Sequence, residues 1–182
     1  MKTVIFTIVS AILIYISRAS LRMPRSHGFY RFFAWEFILA LFLLNVNYWF
    51  QNLFAWYQII AWTLLFASLI PLTFGVIGLK SHGKPTLNRE NDSALFAFEK
   101  TTQLVTCGVY KYIRHPLYSS LLLLTWGIFF KNISVTGIIL AITASIFLVL
   151  TAIADESECI QFFGTEYQNY IKHTKRFIPF LF

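Results

Sequence analysis

Residues 37–79 read FILALFLLNVNYWFQNLFAWYQIIAWTLLFASLIPLTFGVIGL, 43 residues without a single Asp, Glu, Lys or Arg. As one helix at ~1.5 Å per residue this run would extend about 65 Å. A hydrocarbon core is only ~30 Å thick, so the run must fold back once. Asn45, Asn47, Gln51 and Asn52, mixed with Tyr48 and Trp49, mark the turn, because Trp and Tyr favour the membrane interface. The reading is a hairpin with spans near 31–49 and 55–79. Pro71 kinks the second span, where neighbouring helices can cover the carbonyl it frees.

Residues 117–154 repeat the pattern. Lys131 is the only charge in 38 residues and lies near the middle, beside Asn132 and Ser134. This predicts a second hairpin, with spans near 117–130 and 134–154. Upstream, residues 3–17 are 15 uncharged residues between Lys2 and Arg18. They have the length of a signal-peptide apolar core, or of a short span whose Arg18 snorkels to the headgroups. Charge separates these readings. With five spans, segments 18–31, 80–116 and 155–182 share one side and hold 13 of the 15 Lys and Arg; Lys2 and Lys131 remain on the other. The positive-inside rule puts the three basic segments in the cytoplasm and favours a retained first span. The expectation is an all-α integral membrane protein of about five transmembrane helices, with a C-terminal amphipathic interfacial helix.

Composition agrees. The 182 residues are 57% hydrophobic, 19% aromatic and only 13% charged, against roughly 45–50% apolar and about 25% charged in soluble domains. A water-soluble enzyme and a disordered chain are both excluded. The net charge of +7 would point to nucleic acid in a soluble protein. Here it follows from sidedness, and no nucleic-acid partner is expected. Cys107 and Cys159 provide no disulfide framework, and with His27, His82, His115 and His173 scattered, no metal site is expected. No glycine pattern matches a Rossmann or P-loop fingerprint.

Polar chemistry concentrates on the cytoplasmic side. Arg114 and His115 stand directly before Pro116, which opens the 117–130 span. Pro fits a first helical turn because its missing N–H has no helical partner there, and a helix start offers free amides and a positive dipole end. Arg114 and His115 there suit a carboxylate or phosphate, although an Arg before a span also serves as an ordinary interfacial charge. Asp155, Glu156 and Glu158 crowd the end of the last span. Carboxylates at membrane depth need partners, for which Arg114 and a cationic ligand are candidates; a solvated helix continuation is the alternative. Ile160, Phe163, Tyr167, Tyr170 and Ile171 recur at helical spacing, so the tail reads as a helix lying on the membrane, with 177–182 docking back into the interface. Its aromatics read as packing.

The segment Leu104-Val-Thr-x-Gly-x-Tyr-x-Tyr-x-Arg-His-Pro-x-Tyr118, two spans, an acid pair, then Phe163-Gly-x-x-Tyr-x-x-Tyr170 and Arg176-x-Ile-Pro179 resembles the isoprenylcysteine carboxyl methyltransferase family, and more loosely the phospholipid methyltransferases. The resemblance covers about residues 80–182. It implies a single membrane methyltransferase domain, with N-terminal spans through residue 79 and a catalytic part after it, using S-adenosylmethionine. By position, Thr102, Gln103, Leu104, Val105, Tyr110, His115, Pro116, Leu117, Tyr118 and Asp155 would bind that cofactor, and Arg114 and Glu156 would be catalytic. Asp155 stands where the family has the first Glu of its pair. Thr151 stands where prenylcysteine-modifying members have an Arg one turn earlier, which counts against a prenylcysteine substrate.

The implied chemistry suits these residues. The cofactor carries a sulfonium, an ammonium and a carboxylate. Arg114 and His115 match the carboxylate, Asp155 or Glu156 the ammonium, and the Tyr110 and Tyr118 faces the cationic sulfur. Methyl transfer is an in-line displacement that neutralises the sulfonium, so a dry, closely positioned site helps. The acceptor would be a membrane lipid or amphipathic small molecule, with carboxyl O-methylation favoured because it needs no base. An amine or hydroxyl acceptor would need one, from Glu156 or His115. The competing readings are a phospholipid N-methyltransferase, an NADPH-dependent membrane reductase related to the steroid reductases, with Lys80, Lys84 and Arg89 on the 2′-phosphate, and a non-catalytic membrane subunit.

Overall fold

The computed structural model describes residues 1–86 and 96–180. It contains six α-helices: α1 (Lys2–Leu21), α2 (His27–Asn45), α3 (Trp56–His82), α4 (Pro116–Phe129), α5 (Val135–Phe163) and α6 (Thr165–His173). Four stretches, Lys2–Leu21, His27–Tyr48, Trp56–His82 and Val135–Phe163, are long and apolar enough to cross a membrane, and α4 is a shorter apolar helix beside them. The fold is that of an all-α membrane protein, and among the described residues no strand forms. Helices are what such sequences must adopt, because a backbone in lipid has to satisfy its own hydrogen bonds.

Local chemistry sets the helix starts. The Ser26 hydroxyl accepts from the Phe29 amide at 3.2 Å and begins α2. The Ser134 hydroxyl accepts from the Gly137 amide at 3.1 Å and begins α5. Pro116 occupies the first turn of α4. Pro71 lies inside α3, which continues across it.

The apolar helices stand in the spatial order α1, α2, α5, α4, α3, with the broadest contacts between α3 and α4 and between α2 and α5. The core between them joins Ile38 and Leu41 of α2, Ile128 and Phe129 of α4, and Ala141 and Ala144 of α5. Small residues allow the close approaches: a Cβ at Gly127 would come within 2.9 Å of the Leu65 side chain. Outward faces, including Ile8, Ile12, Phe66, Phe74, Ile139 and Ile146, expose large apolar side chains, as a lipid-facing surface would.

Both hairpins turn at the same end, as their sequences predict, and polar groups clasp the turns together. Asn45 Nδ2 donates to the Ile128 carbonyl at 2.9 Å, and Gln58 Nε2 donates to the Lys131 carbonyl at 3.2 Å. The buried Lys131 ammonium donates to Gln58 Oε1 at 3.0 Å and lies 3.5 Å from the Trp62 ring centre. The lone charge of the second run therefore ties the two hairpins together.

The far end differs from the expectation in one respect. The last span does not stop near 154. It runs on to Phe163, where Gly164, at φ +60°, breaks the chain into α6. That backbone region strains any residue with a Cβ. Beyond α6 the chain turns back and runs beside the segment before α4. The Arg114 amide donates to the Lys175 carbonyl at 2.8 Å, the His115 amide to the Arg176 carbonyl at 3.1 Å, and the Lys175 amide to the Tyr112 carbonyl at 3.0 Å. Phe177 is buried in the core beside Tyr118 and Ala152, whereas Phe180 is exposed. Leu181 and Phe182, expected to dock at the interface, lie outside the described residues.

Candidate active site

The pairing of the tail with the pre-α4 segment brings two distant stretches of sequence to one cavity. Its unfilled space, open solvent at the mouth included, is about 800 Å³. Leu104, Val105, Tyr110, Arg114, His115, Pro116, Leu117, Tyr118 and Asp155 line it, nine of the positions singled out from the sequence.

Three expected residues are placed elsewhere. Thr102 and Gln103 are exposed and outside the lining. The Thr102 hydroxyl donates to the Lys84 carbonyl at 2.9 Å, and both amides donate to the Gly83 carbonyl, so this pair secures the end of α3. Glu156 lies behind the wall. Its Oε1 accepts from Arg114 Nε at 2.9 Å and from Arg176 Nε at 3.0 Å, and its Oε2 accepts from Arg176 Nη2 at 2.7 Å. A carboxylate held this way, off the cavity lining, is a structural anchor.

Asp155 faces the other way. Its Oδ2 accepts from the Tyr118 hydroxyl at 3.2 Å and lies 3.4 Å from His115 Nδ1. His115 Nε2 lies 3.3 Å from Glu156 Oε1, so one imidazole bridges both acids. Burial pushes the His115 pKa down, but its contacts with Asp155 and Glu156 push it up further, and the net shift is upward. The two carboxylates favour the protonated ring, which stacks on Tyr118 at 5.3 Å; with both nitrogens facing acids it is a poor general base. Arg114 turns one guanidinium edge to the protein: Nη1 donates to the Thr174 and Ile171 carbonyls, and Nε to Glu156. Its Nη2 has no hydrogen bond among the described residues.

Sequence reasoning misses several wall residues. Glu158, noted in the sequence only as one of the acidic cluster, and Cys159 follow Asp155 at i+3 and i+4, so α5 presents all three on one face. Helical spacing alone would have grouped them. Phe163, Tyr167 and Tyr170, which read as packing, also line the cavity. α6 holds the last two against it, with the Tyr170 hydroxyl donating to the Tyr110 carbonyl at 2.6 Å. Burial raises the pKa of Tyr110, Tyr167 and Tyr170, and these phenols stay neutral. Glu99 and Thr101 join the wall from the loop before the motif, and Leu79 from the end of α3; no spacing rule marks them.

The wall therefore presents the carboxylates of Glu99, Asp155 and Glu158 among aromatic faces, a setting for an organic cation. Lys80 and Lys84 are exposed and off the lining, so neither is placed for a 2′-phosphate; Arg89 lies outside the described residues.

Comparison with known proteins converges on the same segment. Residues 86–166 match the family model described as phospholipid methyltransferase. Methanethiol S-methyltransferase from Pseudomonas deceptionensis is 29% identical over 73 residues, 40% of this chain and 27% of that protein. The match thus spans about a quarter of that relative's length. No solved structure gives a significant match. The matched segment runs from before the Arg-His-Pro motif, through α4 and α5 with the acid pair, into α6, so the similarity to the phospholipid methyltransferases lies on the stretch that builds most of the cavity wall.

Proposed function

We propose that the protein is a multi-pass membrane enzyme that methylates a lipid-like or amphipathic acceptor at the cytoplasmic face, with S-adenosylmethionine as methyl donor. The observation that carries this reading is the wall in which Asp155 and two further carboxylates meet the Tyr110, Tyr118, Tyr167 and Tyr170 rings, beside Arg114. These residues fit the cofactor's charges. Asp155 and its neighbours suit its ammonium, the aromatic faces suit its sulfonium, and the Arg114 edge suits its carboxylate. When bound, the cofactor supplies a methyl group on a positively charged sulfur.

The chain's own contribution is to hold and enclose. His115 and Tyr118 fix the Asp155 carboxylate. Glu156 fixes Arg114 from behind. α6 covers the cavity with Tyr167 and Tyr170, excluding water around a displacement in which charge is lost. The described basic residues beside the cavity, Arg31, Arg114, Lys175 and Arg176 among them, support a cytoplasmic orientation.

The wall also bears on the acceptor. Carboxyl O-methylation would bring an anion beside Glu99, Asp155 and Glu158, which oppose it. An uncharged or cationic acceptor, such as a thiol or an amine, is favoured by this lining. The methanethiol S-methyltransferase relative supports the same choice. Where such an acceptor carries a proton, Glu158, with its side chain 35% exposed, is the most open carboxylate to receive it. The reading is tested by incubating purified protein and methyl-labelled S-adenosylmethionine with lipid extracts, thiols and amines. Label should enter a thiol or amine acceptor and fall to background with Asp155→Asn. No transfer to any acceptor class, or equal transfer by the variant, would overturn it.

A further inference from the structure

The matched family segment begins at residue 86, yet two buried basic side chains of α2, well upstream, reach the cavity wall from behind. Arg31 is 5% exposed; its Nη1 donates to Glu99 Oε1 at 3.2 Å and to Oε2 at 3.0 Å. One turn earlier, His27 is 1% exposed. Its amide donates to Glu158 Oε1 at 2.8 Å, and its Nδ1 bonds Oε2 of the same carboxylate. The amide is the first of α2, so the positive end of the helix dipole also acts on Glu158.

These are costly contacts for a helix whose core positions, Phe32, Ala34, Ile38, Leu41 and Leu43, are mostly apolar. A guanidinium loses its hydration on burial before pairing offsets the loss, and hydrophobic residues of similar volume would serve packing as well or better. Both carboxylates so held face the cavity. We propose that Arg31 and His27 are positioning residues for the cofactor site: α2 fixes the Glu99 and Glu158 carboxylates in the wall and tempers their charge, so that the N-terminal half of the chain sets the affinity of the C-terminal site.

This inference rests on the reading that the cavity binds S-adenosylmethionine. The experiment is calorimetric titration of the full-length protein in detergent with S-adenosylmethionine and S-adenosylhomocysteine, alongside thermal melts. Arg31→Gln and His27→Gln should each weaken binding at least about tenfold, and Arg31→Lys should stay within about threefold of wild type. The exchanged pair Arg31→Glu with Glu99→Arg separates positioning from bracing. It restores the ion pair, and so most of the melting temperature, but puts a cation in the wall and should not restore binding. An exchanged pair that recovers both, or a well-folded Arg31→Gln that binds like wild type, overturns the proposal alone. A wild-type chain that binds neither ligand removes the cofactor reading and this inference with it.

Discussion

Asp155 and Glu156 are adjacent acids with opposite duties, and substituting each by Ala should separate stability from binding. Glu156 accepts three short hydrogen bonds from Arg114 and Arg176, with Arg114 and Glu156 side chains only 7% and 10% exposed. Removing one partner of a buried pair costs about 3–5 kcal/mol, because the other charge is left uncompensated. At ~2–4 °C per kcal/mol for a chain of this size, Glu156→Ala should lower the melting temperature by roughly 6–20 °C. Asp155 is bound by Tyr118 and His115, and His115 keeps Glu156 as a partner when Asp155 is removed. Asp155→Ala should therefore cost only about 1–3 kcal/mol of stability. It should, however, remove a charge-assisted contact to the cofactor of about 1.5–3 kcal/mol, a roughly 10- to 150-fold weaker Kd. Tryptophan-fluorescence melts and calorimetry in the same detergent read both quantities. A Glu156→Ala protein melting within about 2 °C of wild type, or an Asp155→Ala protein binding like wild type, would refute the assignment of the two faces of α5.

The His115 pKa is raised in the folded chain above the ~6.5 of a free imidazole. The stability it contributes is fully present below about pH 6.5 and is lost as pH rises through the raised value. The melting-temperature gap between wild type and His115→Asn should narrow as pH climbs above that point; a gap unchanged from about pH 5 to 9 contradicts this. Lys131→Met removes the stacked cation at the hairpin turns, about 1–2 kcal/mol, so melts should drop by a few degrees with cofactor affinity unchanged. Altered affinity would mean that the two ends of the molecule are coupled. Gly164→Ala puts a Cβ at φ +60° and costs about 1–2 kcal/mol. Because α6 then tilts, cofactor affinity should fall several-fold, and a variant with wild-type Kd would show that Tyr167 and Tyr170 do not touch the ligand.

The hairpins were legible because length alone decides them: 43 uncharged residues cannot cross a bilayer once. The neighbourhood of Arg114, His115 and Pro116 was legible because a Pro-started helix and its preceding basic residues form a local pattern. The orientation of Asp155 against Glu156 was not. Neighbours on a helix point about 100° apart, and only the packing of α5 decides which of them meets the cavity. Arg31 illustrates a different blindness. Counted along the chain it is one more cytoplasmic positive charge. In the fold it is buried against Glu99, 68 positions away, a pairing no local pattern encodes. Glu99 escaped for the same reason, and the tail aromatics passed for packing because an apolar helical stripe looks alike whether it covers a core or a ligand.

The central claim is that the cavity receives a sulfonium-bearing cofactor. Calorimetric titration of the wild-type protein with S-adenosylmethionine, S-adenosylhomocysteine and NADPH tests it most directly. Saturable one-to-one binding of the first two and no heat with NADPH is the predicted outcome; NADPH binding with silence from both sulfur compounds would contradict it.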